Sequence, residues 1–187
     1  MSWMIPGTTY ECERDEVEYG LDFLQHFLSW NDKQMCDIKF ITGLETYTVQ
    51  NWVKRGFLEP PKQRRYTADQ VCRVILINIF KNVFPMEQIC GMLSYVNGKL
   101  DDSSDDIIPD SQLYFIFVRL AAKAKEVEKD PDLVINRELK DYQEPYPGAA
   151  ERIRKVLKIM LIGYLACRMR TEAEKAMNKL MEGEATK

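Results

Sequence analysis

ITGLETYTVQNWVKRGFLEPPKQRRYTADQV, residues 41–71, decides how the chain is read. Thr42-Gly43-Leu44-Glu45 is a tight turn, because Gly43 takes the positive φ that other residues resist. Thr46 is a natural N-cap, and Tyr47 through Arg55 predict a helix of about two and a half turns that Gly56 ends at its C′ position. Upstream, Lys33 to Ile41 offers Met35, Ile38 and Ile41 to a core, so the order is helix, turn, helix. Downstream, Phe57 and Leu58 lead into Glu-Pro-Pro-Lys-Gln-Arg-Arg, where two prolines forbid helix and favour an extended edge or loop before Tyr66. Thr67 with Gln70 three residues on is a capping box, and the helix it announces carries Val71, Val74, Ile75, Ile77, Ile79 and Phe80 to about Asn82.

Working outward, Val17, Leu21, Leu24 and Leu28, widened by Phe23, Phe27 and Trp30, predict a helix from Asp15 to about Trp30 packed on two sides, with Asp15 as its cap and Glu18 three residues on. Pro85 starts another helix, which presents Ile89, Met92, Leu93 and Val96. Asn97-Gly98 and the run Asp101-Asp102-Ser103-Ser104-Asp105-Asp106 then read as a solvated acidic linker over 97–108, dividing a domain at 1–96 from a helical module at 109–187. In that module Pro109 opens a helix expected to run to about Lys129, and a short helical piece covers Leu133 to Leu139. A long helix follows from about Ala149 to Met181, apolar nearly all round between Val156 and Ala166. Such a helix must be covered, by its own module or by a second subunit.

The 187 residues carry a net charge of -3, which on its own argues against a protein that coats nucleic acid. The average conceals an asymmetry. Residues 46–81 hold seven basic side chains (Lys54, Arg55, Lys62, Arg64, Arg65, Arg73, Lys81) against Glu59 and Asp69, a local +5 that leaves -8 for the remainder. A basic patch on an acidic protein is the footprint of one module meeting phosphates. Within 47–55 the spacing separates a core face, Val49, Trp52 and Val53, from a second face of Tyr47, Gln50, Asn51 and Lys54. Asn and Gln pair bidentately with adenine edges, Lys reaches guanine or phosphate, and the Tyr47 and Thr48 hydroxyls suit the backbone. Lys62, Arg64 and Arg65 lie where a wing would follow the helix, at a tip that would run along phosphates or enter the minor groove. The bland alternative is a solvated helix face followed by a solvated charge run.

These residues carry a family resemblance. The stretch from Ile41 to Val71, with FPMEQICGML at 84–93, resembles the winged-helix DNA-binding domain of MerR-type regulators. The matching marks are Trp52 in the recognition helix, the Lys54-Arg55-Gly56-Phe57-Leu58 exit and the Arg65-Tyr66 end of the wing. The segments QNWVKRG and YTADQV also resemble an uncharacterised bacterial family with a MerR-like head, domain of unknown function 1836. The resemblance covers roughly Val17 to Tyr95 and implies a mainly α protein whose winged helix-turn-helix amino-terminal domain precedes the carboxy-terminal helical module. It implies DNA binding and names no ligand. Gln50 stands where MerR-type heads usually carry Arg, and the dimerisation helix that follows those heads directly is here displaced by the acidic linker.

The expected function is therefore transcriptional regulation by sequence-specific binding of double-stranded DNA, without catalysis. Tyr47, Thr48, Gln50, Asn51 and Lys54 face the major groove, Lys62, Arg64 and Arg65 meet backbone or minor groove, Arg55 is counted with them among the DNA-binding residues, and Trp52, Leu58 and Tyr66 hold helix and wing together. The helical module holds a homodimer, binds an unidentified small-molecule effector, or does both. The alternative from another class is a protein-interaction adaptor that keeps the scaffold without binding DNA.

Other chemistry is thinly supplied. His26, the only histidine, sits among Phe23, Phe27 and Trp30 and reads as structural. Five dispersed cysteines without a CxxC pair, and an amino terminus without the pattern of a signal peptide, point to a reduced cytoplasmic chain. The aspartate run lacks the alternation of a calcium loop, and phosphate-binding glycine motifs are absent, so neither metal nor cofactor is expected. The apolar run at 156–169 is shorter than the ~20 residues a membrane span needs. Tyr114, Phe115, Phe117, Tyr142, Tyr146, Met160, Tyr164 and Met169 can line a pocket, although such residues more often form core.

Overall fold

The computed structural model describes residues 2–100 and 105–184. The architecture is mainly helical. A short antiparallel hairpin, β1 (Ser2–Met4) and β2 (Glu11–Glu13), is followed by a 3-10 turn at Arg14–Glu16 and then α1 (Val17–Trp30), α2 (Met35–Thr42), α3 (Thr46–Lys54), α4 (Ala68–Phe80) and α5 (Met86–Asn97). The second half comprises α6 (Asp110–Ala122), α7 (Ala124–Lys129), α8 (Pro131–Glu138) and α9 (Ala149–Glu184).

α4 is the centre. Thr67 and Gln70 form the expected reciprocal cap, and every side chain from Gln70 to Ile77 is buried. α4 packs against α1, α2 and α5 on the amino-terminal side and against α6 and α9 on the other, so residues on both sides of 97–108 share one apolar core. Phe80 meets Phe117 edge-on at 5.7 Å, and Phe117 meets Tyr164 of α9 in the same way. Within 97–108, Asn97, Ile107 and Ile108 are buried, and Asp101 to Ser104 of the acidic run lie outside the described residues. Across this junction the buried guanidinium of Arg73 reaches Asp110 Oδ2 at 3.0 Å, while Asn97 donates to Asp110 Oδ1 at 2.7 Å.

Local details differ from the expectation. The β1–β2 hairpin, with Trp3 opposite Cys12, was not read from the sequence, since three-residue strands are too short to show a period of two. Its connection folds onto α4 and α6. Gly7 takes φ +76°, where a Cβ would lie 2.6 Å from the Ile79 side chain, and Tyr114 donates to the Pro6 carbonyl. Gly7→Ala combines left-handed strain with overpacking and is expected to lower stability by about 2–4 kcal/mol in denaturant unfolding.

α1 is preceded by Glu16 rather than capped by Asp15, and of the aromatic residues expected to widen its stripe only Phe27 packs against the core. Leu21, Leu24 and Leu28 are buried, whereas Tyr19 and Trp30 are exposed and Phe23 stacks on Tyr10 at 4.8 Å. His26 is exposed, its Nδ1 2.8 Å from the Asp22 carbonyl. The helix expected from Pro109 to Lys129 breaks at Lys123, whose N–H turns back to Leu120 and whose ammonium pairs with Glu138 of α8. Thr46 is the first residue of α3, and the cap position is taken by Glu45.

Candidate nucleic-acid interface

The turn before α3 is fixed from both sides. Gly43 adopts φ +67°, the Thr42 hydroxyl donates to the Ile38 carbonyl and accepts from the Leu44 N–H, and Lys39 pairs with Glu45 at 2.9 Å across the bend. With Leu44 buried, α3 has one way to lie. Val49 and Trp52 enter the core with Val53 packed against its edge, and Tyr47, Gln50, Asn51 and Lys54 are exposed on the opposite face, with Thr48 half-buried between. Gly56 ends the helix at φ +75°, and the Phe57 N–H returns to the Trp52 carbonyl. The Arg55 guanidinium lies 4.5 Å over the Phe57 ring and 3.6 Å from Glu87 of α5, so its charge is partly met within the chain.

The segment after Pro61 is a two-residue hairpin. Arg65 N–H donates to the Lys62 carbonyl at 2.9 Å, and the central residues Gln63 and Arg64 have φ of 51° and 63°. Positive φ at both central positions defines the type I′ geometry that favours Asn-Gly, and each non-glycine residue held there costs on the order of 1 kcal/mol. The returning strand is anchored by paired backbone bonds between Lys33 and Tyr66 at 2.7 and 2.8 Å, by buried Tyr66, and by Arg65 Nη1 on the Asp32 carbonyl. Lys62, Arg64 and Arg65 are exposed, and among the described residues Lys54, Lys62 and Arg64 have no carboxylate partner. Trp52, Leu58 and Tyr66, expected to tie helix and hairpin together, are all buried.

Two members of the basic count lie elsewhere. Arg73 is in the core with Asp110, and Lys81 is at the far end of α4, about 20 Å along its axis. The free cationic surface of 46–81 is therefore smaller than +5 and concentrated at Lys54 and the hairpin. Sequence reasoning missed Gln63, because Lys-Gln-Arg-Arg holds no Gly or Asn to signal a type I′ turn.

Beside the hairpin's base, Glu59, Asp69, Asp106 and Asp110 line a cleft of about 260 Å³ with Arg73 and Lys99. Burial pushes the Asp110 carboxyl up, outweighing the pull of Arg73. Asp106 is raised to about 6, first by burial and then by Asp110, Asp105 and Asp69. Between the ordinary aspartate value near ~4 and pH ~6 the unfolded chain has released this proton and the folded chain still holds it, so stability falls with rising pH and the loss persists above pH ~6. Asp106→Asn is expected to flatten that slope in pH-dependent thermal unfolding. The gain at pH ~7 is on the order of 1 kcal/mol after solvent screening of a partly exposed group.

No group of three or more His, Cys, Asp or Glu side chains among the described residues is placed to hold a metal ion. The five cysteines are free, and burial pushes the Cys72 thiol well up, which disfavours the reactive thiolate. Tyr114, Phe117 and Met160 are core, whereas Phe115 and Tyr142 line a cleft of about 550 Å³ with Gln25, Arg119 and Glu138. No helix among the described residues is long and apolar enough to cross a membrane.

Residues 23–117, just over half of the chain, match the family described as Domain of unknown function (DUF1836). The chain belongs to this family. The DUF1836 match begins within α1, takes in α2, α3, the hairpin, α4 and α5, and ends within α6, so both Arg73 and Asp110 fall inside it. The chain is also similar to Uncharacterized protein YkrK of Bacillus subtilis (strain 168), at 27% identity over 111 residues that cover 57% of this chain and 45% of that protein. The similarity thus spans less than half of the relative's length. No solved structure matches.

Proposed function

We propose that the amino-terminal part of this DUF1836 protein is a winged helix-turn-helix head of MerR-like kind that binds double-stranded DNA, and that the chain regulates transcription without catalysis. The observation that carries the reading is the hairpin tip: Gln63 and Arg64 are held at positive φ, on the surface, with Lys62 and Arg65 beside them. A tip built only for stability would carry Asn-Gly, and a retained local strain is a signature of function. α3 supports the same reading. Its outer face combines Tyr47, Gln50, Asn51 and Lys54, the residue types that hydrogen-bond to base edges and phosphates, without an acidic side chain among them. In this arrangement α3 enters the major groove and the hairpin lies on the backbone or in the minor groove.

One observation favours an adaptor as the second reading. Phe40 and Tyr47 are largely exposed on consecutive helices, and exposed aromatic side chains also suit a protein partner. Selection of bound duplexes from a random pool separates the two. A DNA reader enriches a defined motif, and the motif disappears with Asn51→Ala or Lys54→Ala. An adaptor returns an unenriched pool.

A further inference from the structure

α9 has two halves of different character. Between Ile153 and Leu161 one face is buried against the body, with Ile153, Leu157 and Met160 in the core, but every described side chain from Arg168 onward is exposed. The helix nevertheless continues to Glu184, a projection of 17 residues and about 25 Å. A helix of that length is marginal in water on propensity alone and takes its stability from an apolar face that packs. Such a face is present. Ala166, Met169, Ala173, Ala176 and Leu180 recur at alternating spacings of three and four, the a and d positions of a heptad, and exposed Ile159 and Ile162 carry the stripe back onto the body. The flanks are charged, with Arg170 paired to Glu174 and Lys175 to Glu172 along the helix.

We propose that the projecting half of α9 pairs antiparallel with the same segment of a second copy of this chain. Two features point to a copy rather than to another protein. The seam is self-complementary, since antiparallel pairing sets Met169 against Leu180 of the partner subunit and Ala173 against Ala176 of the partner subunit, each pair occurring twice about the two-fold axis. Charge is self-complementary in the same register. Glu172 and Lys179 both occupy g positions, and g meets g across an antiparallel pair, so Glu172 faces Lys179 of the partner subunit at two symmetric places. Parallel pairing would instead set Glu172 opposite Met177 of the partner subunit. The opposed helix dipoles add to the same preference.

The overlap is short, so the dimer is expected to dissociate on the order of 10 µM, at the weak end of specific association. The pairing does not rest on the DNA-binding reading, and its test involves no DNA. Sedimentation equilibrium of the full chain is expected to show a reversible dimer. Met169→Lys and Leu180→Lys should each raise the dissociation constant at least about 50-fold with unchanged circular dichroism, because both side chains are exposed in the single chain. Glu172→Lys should weaken the dimer about tenfold, and adding Lys179→Glu should restore it to within about twofold. A chain still monomeric at about 200 µM, or a dimer untouched by Met169→Lys and Leu180→Lys, overturns the interface. Failure of the charge exchange to restore dimerisation overturns the antiparallel register.

Discussion

Arg64→Glu combined with Arg65→Glu is expected to lower the affinity for duplex DNA at least 100-fold, measured by fluorescence anisotropy at about 0.1 M salt, while leaving the denaturation midpoint nearly unchanged. Both side chains are exposed on a two-residue hairpin, and neither pairs with a carboxylate among the described residues. The substitution removes two cations and adds two anions at the tip, so phosphate contacts are replaced by repulsion. Among the described residues the only side-chain bond lost is that from Arg65 to the Asp32 carbonyl, an exposed contact worth less than about 1 kcal/mol. A complementary change separates function from fold in the other direction. Gln63→Asn with Arg64→Gly relieves the positive φ at both positions and is expected to raise stability by about 1–2 kcal/mol while still costing roughly tenfold in DNA affinity. A tip that gains stability and loses binding is one whose residues are kept for recognition rather than for stability.

The largest effect on stability is expected at Asp110. Its carboxylate is the only acidic partner of the buried Arg73 guanidinium among the described residues and also accepts from Asn97, so Asp110→Ala leaves a charge and an amide in the core without their acceptor. Removing one member of a buried pair typically costs about 3–5 kcal/mol, because the remaining charge stays desolvated. Removing both members with apolar replacements, Arg73→Met with Asp110→Leu, should cost less than Asp110→Ala alone in chemical denaturation, although Asn97 then still lacks an acceptor. Since α4 and α6 share one core, the unfolding of either variant is expected as a single transition that includes both halves of the chain.

Much of this arrangement was legible in the sequence where one residue type has one physical use. Gly43 and Gly56 mark helix ends because both sit at positive φ, and Thr67 with Gln70 marks the start of α4 because each caps the other. The period of 3.6 placed Val49 and Trp52 inside and Gln50, Asn51 and Lys54 outside, as found. What stayed hidden depends on residues far apart in the chain. Arg73 counts as surface charge until Asp110, 37 residues on, is seen beside it in the core. The exposed aromatic side of α1 reads as a second packing face because periodicity reports hydrophobicity and not the presence of a neighbour. The break at Lys123 follows from the packing of α8, which no local signal announces, and the hairpin at Lys62–Arg65 uses backbone conformations that its residue types do not advertise.

The central proposal is that Lys54, Lys62, Arg64 and Arg65 meet phosphates. Its most direct test is the affinity of the unaltered chain for a genomic duplex pool measured across a series of salt concentrations. Four such cations predict a fall of log affinity with log salt at a slope of about -4 per bound chain, reduced by about two in Arg64→Glu with Arg65→Glu. Binding that is absent at low salt, or that does not change with salt, would contradict it.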